Sequence, residues 1–379
     1  TGIIRGKEVA QVYLSAPQAK LGKPSKELVA YVKTGELSPS GQQVCTVKVD
    51  LAQFASYDDS GATGHRNCFV LEEGEYKLFL GTSVSDNREI WSGRLSELVV
   101  KQCEEACAPR TAFKRMINDG ECTYEDVPTA AIDLRGRILA RLPKKVEKNS
   151  EIQYRLQDVA SGAATLDEFI AQFTPEQLEA ITRGSLSMMD SPYGPMGNAG
   201  TFGGNCEQLF AMGIPALSTN DGPSGIRLQA HSTLLPNGVA LASAFNDALV
   251  EQLAYQLGKE VRERGSHVLL APGMNIHRNP LCGRNFEYFS EDPYLTGKIA
   301  AAYVRGVQRA GASATPKHFA CNNQEKGRSI NDSRVSQRAL REIYLKGFAI
   351  CIKESNPDCL MTSYNKLNGV WNCYNYDLV

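Results

Sequence analysis

The residues best suited to chemistry stand directly after short apolar segments in the second half of this 379-residue chain. Asp221 can accept two hydroxyl donors, and Arg284 and Lys317 supply donors. His318 can donate or accept, and Tyr364 adds an aromatic face with a hydroxyl group. Because donors and acceptors are mixed around an aromatic ring, the set favours a polyhydroxylated ligand such as a sugar.

Two other ligand classes fit these positions less well. A phosphate site would need a cluster of arginines, and a metal site would need a His and carboxylate triad. Cys103, Cys107 and Cys122 offer three thiols, but their uneven spacing and the lack of a nearby His make a poor zinc ligand set. We therefore expect no cofactor and no metal. A lone His such as His318 more often supports a fold than takes part in chemistry, yet four segment ends carry the same change to polar residues.

Strands alternating with long helices are predicted to position these residues. The strands are 216–219, 268–270, 313–315 and 359–362, and the helices are 246–264, 292–311 and 337–354. This alternation predicts a parallel sheet with right-handed crossovers. No glycine fingerprint follows the first strand, so a (β/α)8 barrel is favoured over a dinucleotide-binding sheet. In such a barrel, residues just past the carboxyl ends of the strands line the site.

Helix signals precede this alternation. Capping boxes at Thr165 and Thr174 open two further helices. The glycine-rich segment 194–204 lacks the Gly-Lys-Ser/Thr of a phosphate loop and predicts a flexible loop that could act as a lid.

The first hundred residues predict a different architecture. Short runs rich in Val, Tyr, Leu and Thr at 8–14, 27–33, 43–50, 76–80 and 97–101 are separated by Gly, Pro, Ser or Asp clusters. With no long helical pattern between them, they predict an all-β sandwich. The predicted division is a sandwich at 1–101, a connector at 102–164 and an incomplete barrel at 165–379.

The charge balance limits the classes of partner that we expect, and the cysteine usage indicates a compartment. The 41 Lys and Arg residues against 42 Asp and Glu residues leave no basic surplus, so nucleic acid and anionic membranes are not expected partners. No apolar run approaches the ~18 residues of a membrane span, and the first residues do not resemble a signal peptide. The eleven scattered Cys residues suit reduced thiols, which predicts a cytoplasmic protein.

Four segments then resemble signature motifs of glycoside hydrolase family 3, the β-glucosidases. They are NDGPSGIR at 220–227, PGMNIHRNPLCGRNFEYFSEDP at 272–293, KHFACNNQE at 317–325 with Arg328, and MTSYN at 361–365. The segment GKEVAQVY at 6–13 is similar to the family's fibronectin type III-like module. Because that module precedes the barrel here, the chain resembles the circularly permuted subgroup.

The resemblance implies substrate-binding roles for six residues. Asp221 matches the carboxylate that holds hydroxyls at the far side of the glucosyl ring, and Arg284, Lys317 and His318 match residues that bond the remaining hydroxyls. Two more residues match a supporting arginine and the tyrosine beside the nucleophile: Arg328 and Tyr364. For Arg227 and Arg278, a sugar contact and a supporting salt bridge stay equally open.

The implied activity is that of a retaining exo-β-glucosidase acting on a β-glucoside or short oligosaccharide, with a homo-oligomer left open. Such enzymes need a nucleophile and an acid/base carboxylate. By alignment with the family, both are expected outside these 379 residues, so no residue of this chain is predicted to be catalytic. Glu287 and Glu325 are expected to pair with arginines. The alternatives are a non-catalytic sugar-binding fragment and a β-xylosidase-type specificity.

Overall fold

The computed structural model describes residues 3–118, 122–149, 151, 153–185 and 191–379. Its first part consists of two antiparallel sheets. The strands are β1 (Val9–Ser15), β2 (Glu27–Lys33), β3 (Ser56–Asp58), β4 (Cys68–Leu71), β5 (Gly74–Gly81), β6 (Asn87–Leu95) and β7 (Leu98–Gln102), with a 3-10 turn at Leu51–Phe54. One sheet has the order β2-β1-β5-β6 and the other β3-β4-β7.

Apolar side chains from both sheets meet in one core, which confirms the predicted sandwich. Its buried members are Val12, Leu14, Val29, Ala30, Phe54, Ala55, Leu71 and Tyr76. The strand predicted at 43–50 is wrong, because that segment joins neither sheet. Its alternation places Val49 against the core, but no neighbouring strand pairs with its backbone.

The segment predicted as a connector contains regular structure. Its elements are the hairpin strands β8 (Lys114–Asn118) and β9 (Cys122–Asp126) and the short helices α1 (Leu134–Ala140) and α2 (Leu156–Ala160). Arg115 of β8 forms ion pairs with Asp59 and Glu125, at 2.8 and 2.5 Å. The hairpin is therefore tied to the sandwich.

The C-terminal part alternates strands and helices. Its helices are α3 (Leu166–Ala171), α4 (Pro175–Arg183), α5 (Glu207–Ala211), α6 (Gly238–Ser243), α7 (Asp247–Glu263), α8 (Pro293–Arg309), α9 (Gln337–Ala339) and α10 (Lys346–Ser355), with a π-helical turn at Leu340–Tyr344 and 3-10 turns at Asn285–Glu287 and Asn372–Tyr374. Its strands are β10 (Gly200–Gly203), β11 (Ala216–Asp221), β12 (Val268–Leu270), β13 (Ser313–Ala314), β14 (Lys317–Phe319), β15 (Asp332–Ser333), β16 (Met361–Thr362), β17 (Lys366–Leu367) and β18 (Val370–Trp371).

The strands that carry the site residues are parallel. β11, β12 and β13 pair in that order, β14 pairs with β16, and a parallel bridge from Gly273 to Lys317 links the two groups. Strand β10 runs antiparallel to β11, so the loop predicted at 194–204 is partly wrong. Across the described residues, the sheets are mixed and do not close into a barrel. The incomplete (β/α)8 barrel predicted at 165–379 stays a prediction.

The helices follow local signals that the sequence shows. Both predicted capping boxes form: the Thr165 and Thr174 side chains accept hydrogen bonds from the first turns of α3 and α4. Asn246 and Asp292 cap α7 and α8 in the same way. Helix α8 packs between α7 and α10. In the described part of the chain, no helix is both long enough and apolar enough to span a membrane.

The sandwich and the C-terminal part share an apolar core. Tyr13 of β1 and Leu28 of β2 are buried in the same cluster as the inner faces of α7 and α8. Polar contacts surround this junction: the Tyr31 hydroxyl donates to Asp247 at 2.5 Å, and Lys346 pairs with Glu27 at 2.5 Å. The two parts therefore hold each other in a defined orientation.

Candidate active site

Parallel strands carry the sequence-predicted residues to one edge of the sheet. Asp221 ends β11 beside Leu270 of β12, and Lys317 begins β14. Tyr364 lies two residues beyond β16, which pairs with β14. Arg284 lies in the long loop after β12, just before the 3-10 turn at Asn285–Glu287.

The turn after β11 requires glycine. Gly222 has a φ of 128°, and a side chain there would overlap the carbonyl oxygen of Gly225. The Gly222 N–H donates to Asp221 Oδ1 at 3.0 Å. The tight turn thus holds the Asp221 carboxylate at the end of the strand.

Asp221 and Lys317 form the ion pair with the most deeply buried cation of this cluster. Lys317 Nζ lies 2.5 Å from Asp221 Oδ1, and the lysine side chain is only 2% exposed. Burial pushes the pKa of Asp221 upward, but the adjacent ammonium outweighs it and holds that pKa below its usual value. Arg227 reaches the other carboxylate oxygen at 3.1 Å. Asp221 is therefore an ionised acceptor.

His318 is enclosed beside this pair. Its Nε2 lies 3.0 Å from Arg284 Nη1, and its Nδ1 lies 3.3 Å from both Asn275 Oδ1 and the Tyr288 hydroxyl. Burial and the nearby cations, with Arg284 the strongest, lower the pKa of His318 to about 2. The ring is therefore neutral.

The remaining carboxylates of the cluster are each paired with an arginine. Glu287 accepts a hydrogen bond from Arg284 Nε at 2.7 Å, and Glu325 pairs with Arg328 at 2.9 Å. The Arg328 guanidinium lies 4.2 Å from the centre of the Tyr364 ring. The arginine pairings expected for both glutamates are confirmed.

All six predicted binding residues lie in one connected cluster. The Tyr364 and His318 ring centres are 5.3 Å apart, so this contact connects Arg328, which lies on Tyr364, to Arg284, which lies beside His318. Tyr364 is 39% exposed, so the cluster opens to solvent on that side. Arg227 extends from the Asp221 end, while Arg278 lies near Tyr344 instead.

Three buried residues of the cluster were not predicted individually: Asn275, Tyr288 and Asn322. Asn275 bonds His318, and Asn322 Nδ2 donates to both the Tyr288 hydroxyl and Glu325. All three belong to the motif segments named above. The signal that finds Asn275 is its place just beyond a strand end, the same signal that found Asp221.

The cysteines do not gather into a site. Cys107 contacts Asn375 and Cys122 contacts Met116, and all eleven Cys residues are free thiols. Over the residues with described positions, no group of three or more His, Cys, Asp or Glu side chains could hold a metal ion.

Comparison with known proteins places this geometry in a family. Residues 206–375, which include all six predicted binding residues, match the "Glycosyl hydrolase family 3 N terminal domain". Residues 8–84 match the fibronectin type III-like domain. A β-glucosidase of Ruminococcus albus is 46% identical over the whole chain. The chain belongs to glycosyl hydrolase family 3.

Other members of family 3 align over different shares of the chain. Beta-glucosidase A of Butyrivibrio fibrisolvens is 41% identical over the whole chain. The crystal structure of a β-glucosidase from Paenibacillus barengoltzii is 47% identical over 99% of the chain, with a TM-score of 0.95. β-Glucosidase 3B from Thermotoga neapolitana in complex with α-D-glucose is 42% identical over 55% of the chain, with a TM-score of 0.51.

The chain spans less than half of the length of these family 3 relatives. It covers 40% of the Ruminococcus protein, 48% of the Butyrivibrio protein, 42% of the Paenibacillus structure and 30% of the Thermotoga structure. Its fibronectin type III-like domain precedes its family 3 domain.

Proposed function

We propose that this family 3 chain holds the terminal glucosyl ring in a β-glucosidase that removes β-D-glucose from non-reducing ends. The observation that carries the proposal is the open cluster of Asp221, Lys317, His318, Arg284 and Tyr364, which combines one ionised acceptor and a neutral imidazole with charged donors beside an aromatic ring. That mixture complements a ring whose hydroxyls both donate and accept. The relatives named β-glucosidases support the same substrate class.

We propose a retaining double displacement for the whole protein. One carboxylate would attack the anomeric carbon, and a second would protonate the leaving oxygen and then activate water. Asp221, Glu287 and Glu325 are each paired with a cation in the cluster. A carboxylate paired with a cation is already engaged and is not free to act on a substrate. We therefore assign binding to this chain and both catalytic carboxylates to segments outside it.

Two finer features of the fold and the cellular compartment belong to the same proposal. The parallel strands β11–β13 with their crossover helices are suited to part of a (β/α)8 barrel. The order of the two matched domains favours a circularly permuted arrangement. The free thiols favour the cytoplasm as the compartment.

The direct test is hydrolysis by a longer protein that contains this chain and its flanking segments. We expect release of p-nitrophenol from p-nitrophenyl β-D-glucoside, no release from the α-anomer, and β-glucose as the first product by proton NMR. Faster cleavage of the β-xyloside would assign the xylosidase-type specificity instead. A product of inverted configuration would overturn the retaining mechanism.

Glucose binding by the 379-residue chain distinguishes a non-catalytic sugar-binding protein from a cluster that does not bind glucose. Binding that is lost in Lys317→Met, together with no hydrolysis by the longer protein, would identify a non-catalytic sugar-binding protein. If neither the 379-residue chain nor the longer protein binds glucose, the assignment of the cluster to a glucosyl ring is refuted. Arg227→Met is the matched control, because Arg227 contacts the same carboxylate from a largely exposed position.

A further inference from the structure

The two ring nitrogens of His318 have neighbours of opposite character. Nε2 lies 3.0 Å from Arg284 Nη1. A guanidinium only donates hydrogen bonds, so Nε2 can bond it only as an unprotonated acceptor. The single proton of the neutral ring must then lie on Nδ1.

Asn275 is oriented to accept that proton. Its Nδ2 donates to the His318 carbonyl oxygen at 2.9 Å, and its Oδ1 accepts from the His318 backbone N–H at 2.9 Å. These two bonds fix which end of the amide is oxygen. The same Oδ1 lies 3.3 Å from His318 Nδ1. An unprotonated Nδ1 would set two lone pairs against each other.

The surroundings of the ring oppose a second proton. Arg284, Lys317 and Arg328 are the cations near it, and each of them disfavours the imidazolium. Two carboxylates lie close by, Glu287 and Glu325, but each is paired with one of those arginines. The aromatic neighbours are Tyr288 and Tyr364, and the Tyr288 hydroxyl accepts a bond from Asn322 at 3.2 Å.

We propose that Asn275 is a positioning residue that fixes His318 as the neutral tautomer with its proton on Nδ1, so that a substrate hydroxyl can replace Arg284 as the donor to the Nε2 lone pair. Arg284, beside it, would donate to the oxygen of the same hydroxyl. The pair therefore selects a group that both donates and accepts. A fluorine or methoxy group only accepts, so it could not replace Arg284 as the donor to Nε2. The ligand's identity as a sugar rests on the proposed function, but the tautomer does not.

The tautomer can be measured without any sugar. The imidazole nitrogens of the 15N-histidine-labelled chain are recorded by NMR from pH 5 to pH 8, and His318→Asn assigns the His318 signals. We expect a protonated Nδ1 and an unprotonated Nε2 across this range. A His318 ring protonated on Nε2, or one that takes a second proton above pH 5, would overturn the proposal.

Two substitutions of Asn275 test its part in fixing the ring. Asn275→Ala removes the acceptor that holds the ring in place against Arg284, so we expect the ring to turn and the Nδ1-protonated form to lose its dominance. Asn275→Asp keeps an acceptor but adds a negative charge, so we expect the pKa of His318 to rise and the ring to titrate at higher pH than in the wild type. Spectra of both variants that match the wild type would refute the role of Asn275.

The matched control is Asn279→Ala in the same loop. The exposed Asn279 side chain accepts a hydrogen bond from the Leu281 backbone N–H at 2.9 Å. We expect its histidine spectrum to equal that of the wild type. A parallel titration with D-glucose should show about tenfold weaker binding for Asn275→Ala, the loss of roughly one hydrogen bond at the ring. An altered tautomer without an altered glucose affinity would refute the ligand contact while leaving the tautomer assignment in place.

Discussion

Replacing Asp221 with Asn should reduce the free energy of unfolding by about 3 kcal/mol, because it leaves the Lys317 ammonium buried without its charged partner. The lysine side chain is 2% exposed and lies 2.5 Å from the carboxylate. Removing one partner of a buried pair costs about 3–5 kcal/mol. We expect the lower end, since the Asp221 side chain is 34% exposed and Glu287 also attracts the ammonium.

The assay is urea unfolding followed by circular dichroism at 222 nm, which reports mainly the helices of the C-terminal part. Arg227→Gln is the matched control, because it removes the exposed partner of the same carboxylate at 3.1 Å. Exposed pairs contribute about 0–1 kcal/mol. Equal losses in Asp221→Asn and Arg227→Gln would refute the reasoning, as would no loss in either.

The pH dependence gives the same prediction an independent check. Burial raises the pKa of Asp221, but Lys317 outweighs burial and holds this pKa below its value in the unfolded state. As pH falls through about 4, the folded state therefore binds fewer protons than the unfolded state. The stabilisation is present above that pH and is lost below it. The unfolding free energies of the wild type and Asp221→Asn should therefore converge in acid. A constant difference down to pH 2.5 would contradict the ion-pair explanation.

Three further predictions concern single contacts. Arg284→Ala should weaken D-glucose binding at least tenfold in a calorimetric titration, because it removes a charged donor worth about 1.5–3 kcal/mol; unchanged affinity would exclude Arg284 from the site. Burial raises the pKa of Asp292 to about 6, so the folded state binds more protons than the unfolded state and stability should fall as pH rises from about 4 to 6. Asp292→Asn keeps the cap on Leu295 and should remove this slope in urea unfolding; a persistent slope would assign it to another group. Tyr31→Phe breaks the 2.5 Å bond to Asp247 and should cost about 1–3 kcal/mol in the same assay, with no loss contradicting the contact.

The sequence predicted those parts of the fold that depend on local signals. Helices α7 and α8 begin one residue after their predicted starts at Asn246 and Asp292, because a side-chain oxygen at each of these positions satisfies an unpaired N–H of the first turn. The change from an apolar strand to polar residues located Asp221, which ends β11, and Lys317, which follows β13, because side chains beyond the carboxyl ends of parallel strands line a site.

The errors arose where a partner in space decides the structure. The segment 43–50 alternates like a strand but has no neighbouring strand, and alternation alone cannot supply one. Conversely, Gly200 and Gly203 look like loop residues, yet they pair with Thr219 and Ala216 because β11 has a free edge there. The contacts of Asn275 were out of reach for the same reason, since its bonds go to a residue 43 positions away.

The junction of Tyr13 and Leu28 with α7 and α8 bears on protein engineering. Because β1 and β2 of the sandwich contribute side chains to the core of the C-terminal part, the sandwich cannot be deleted or exchanged between homologues as an independent module. Any chimera must carry matching counterparts of the Tyr31–Asp247 and Glu27–Lys346 contacts, or the helices packed behind the site-bearing strands lose these contacts.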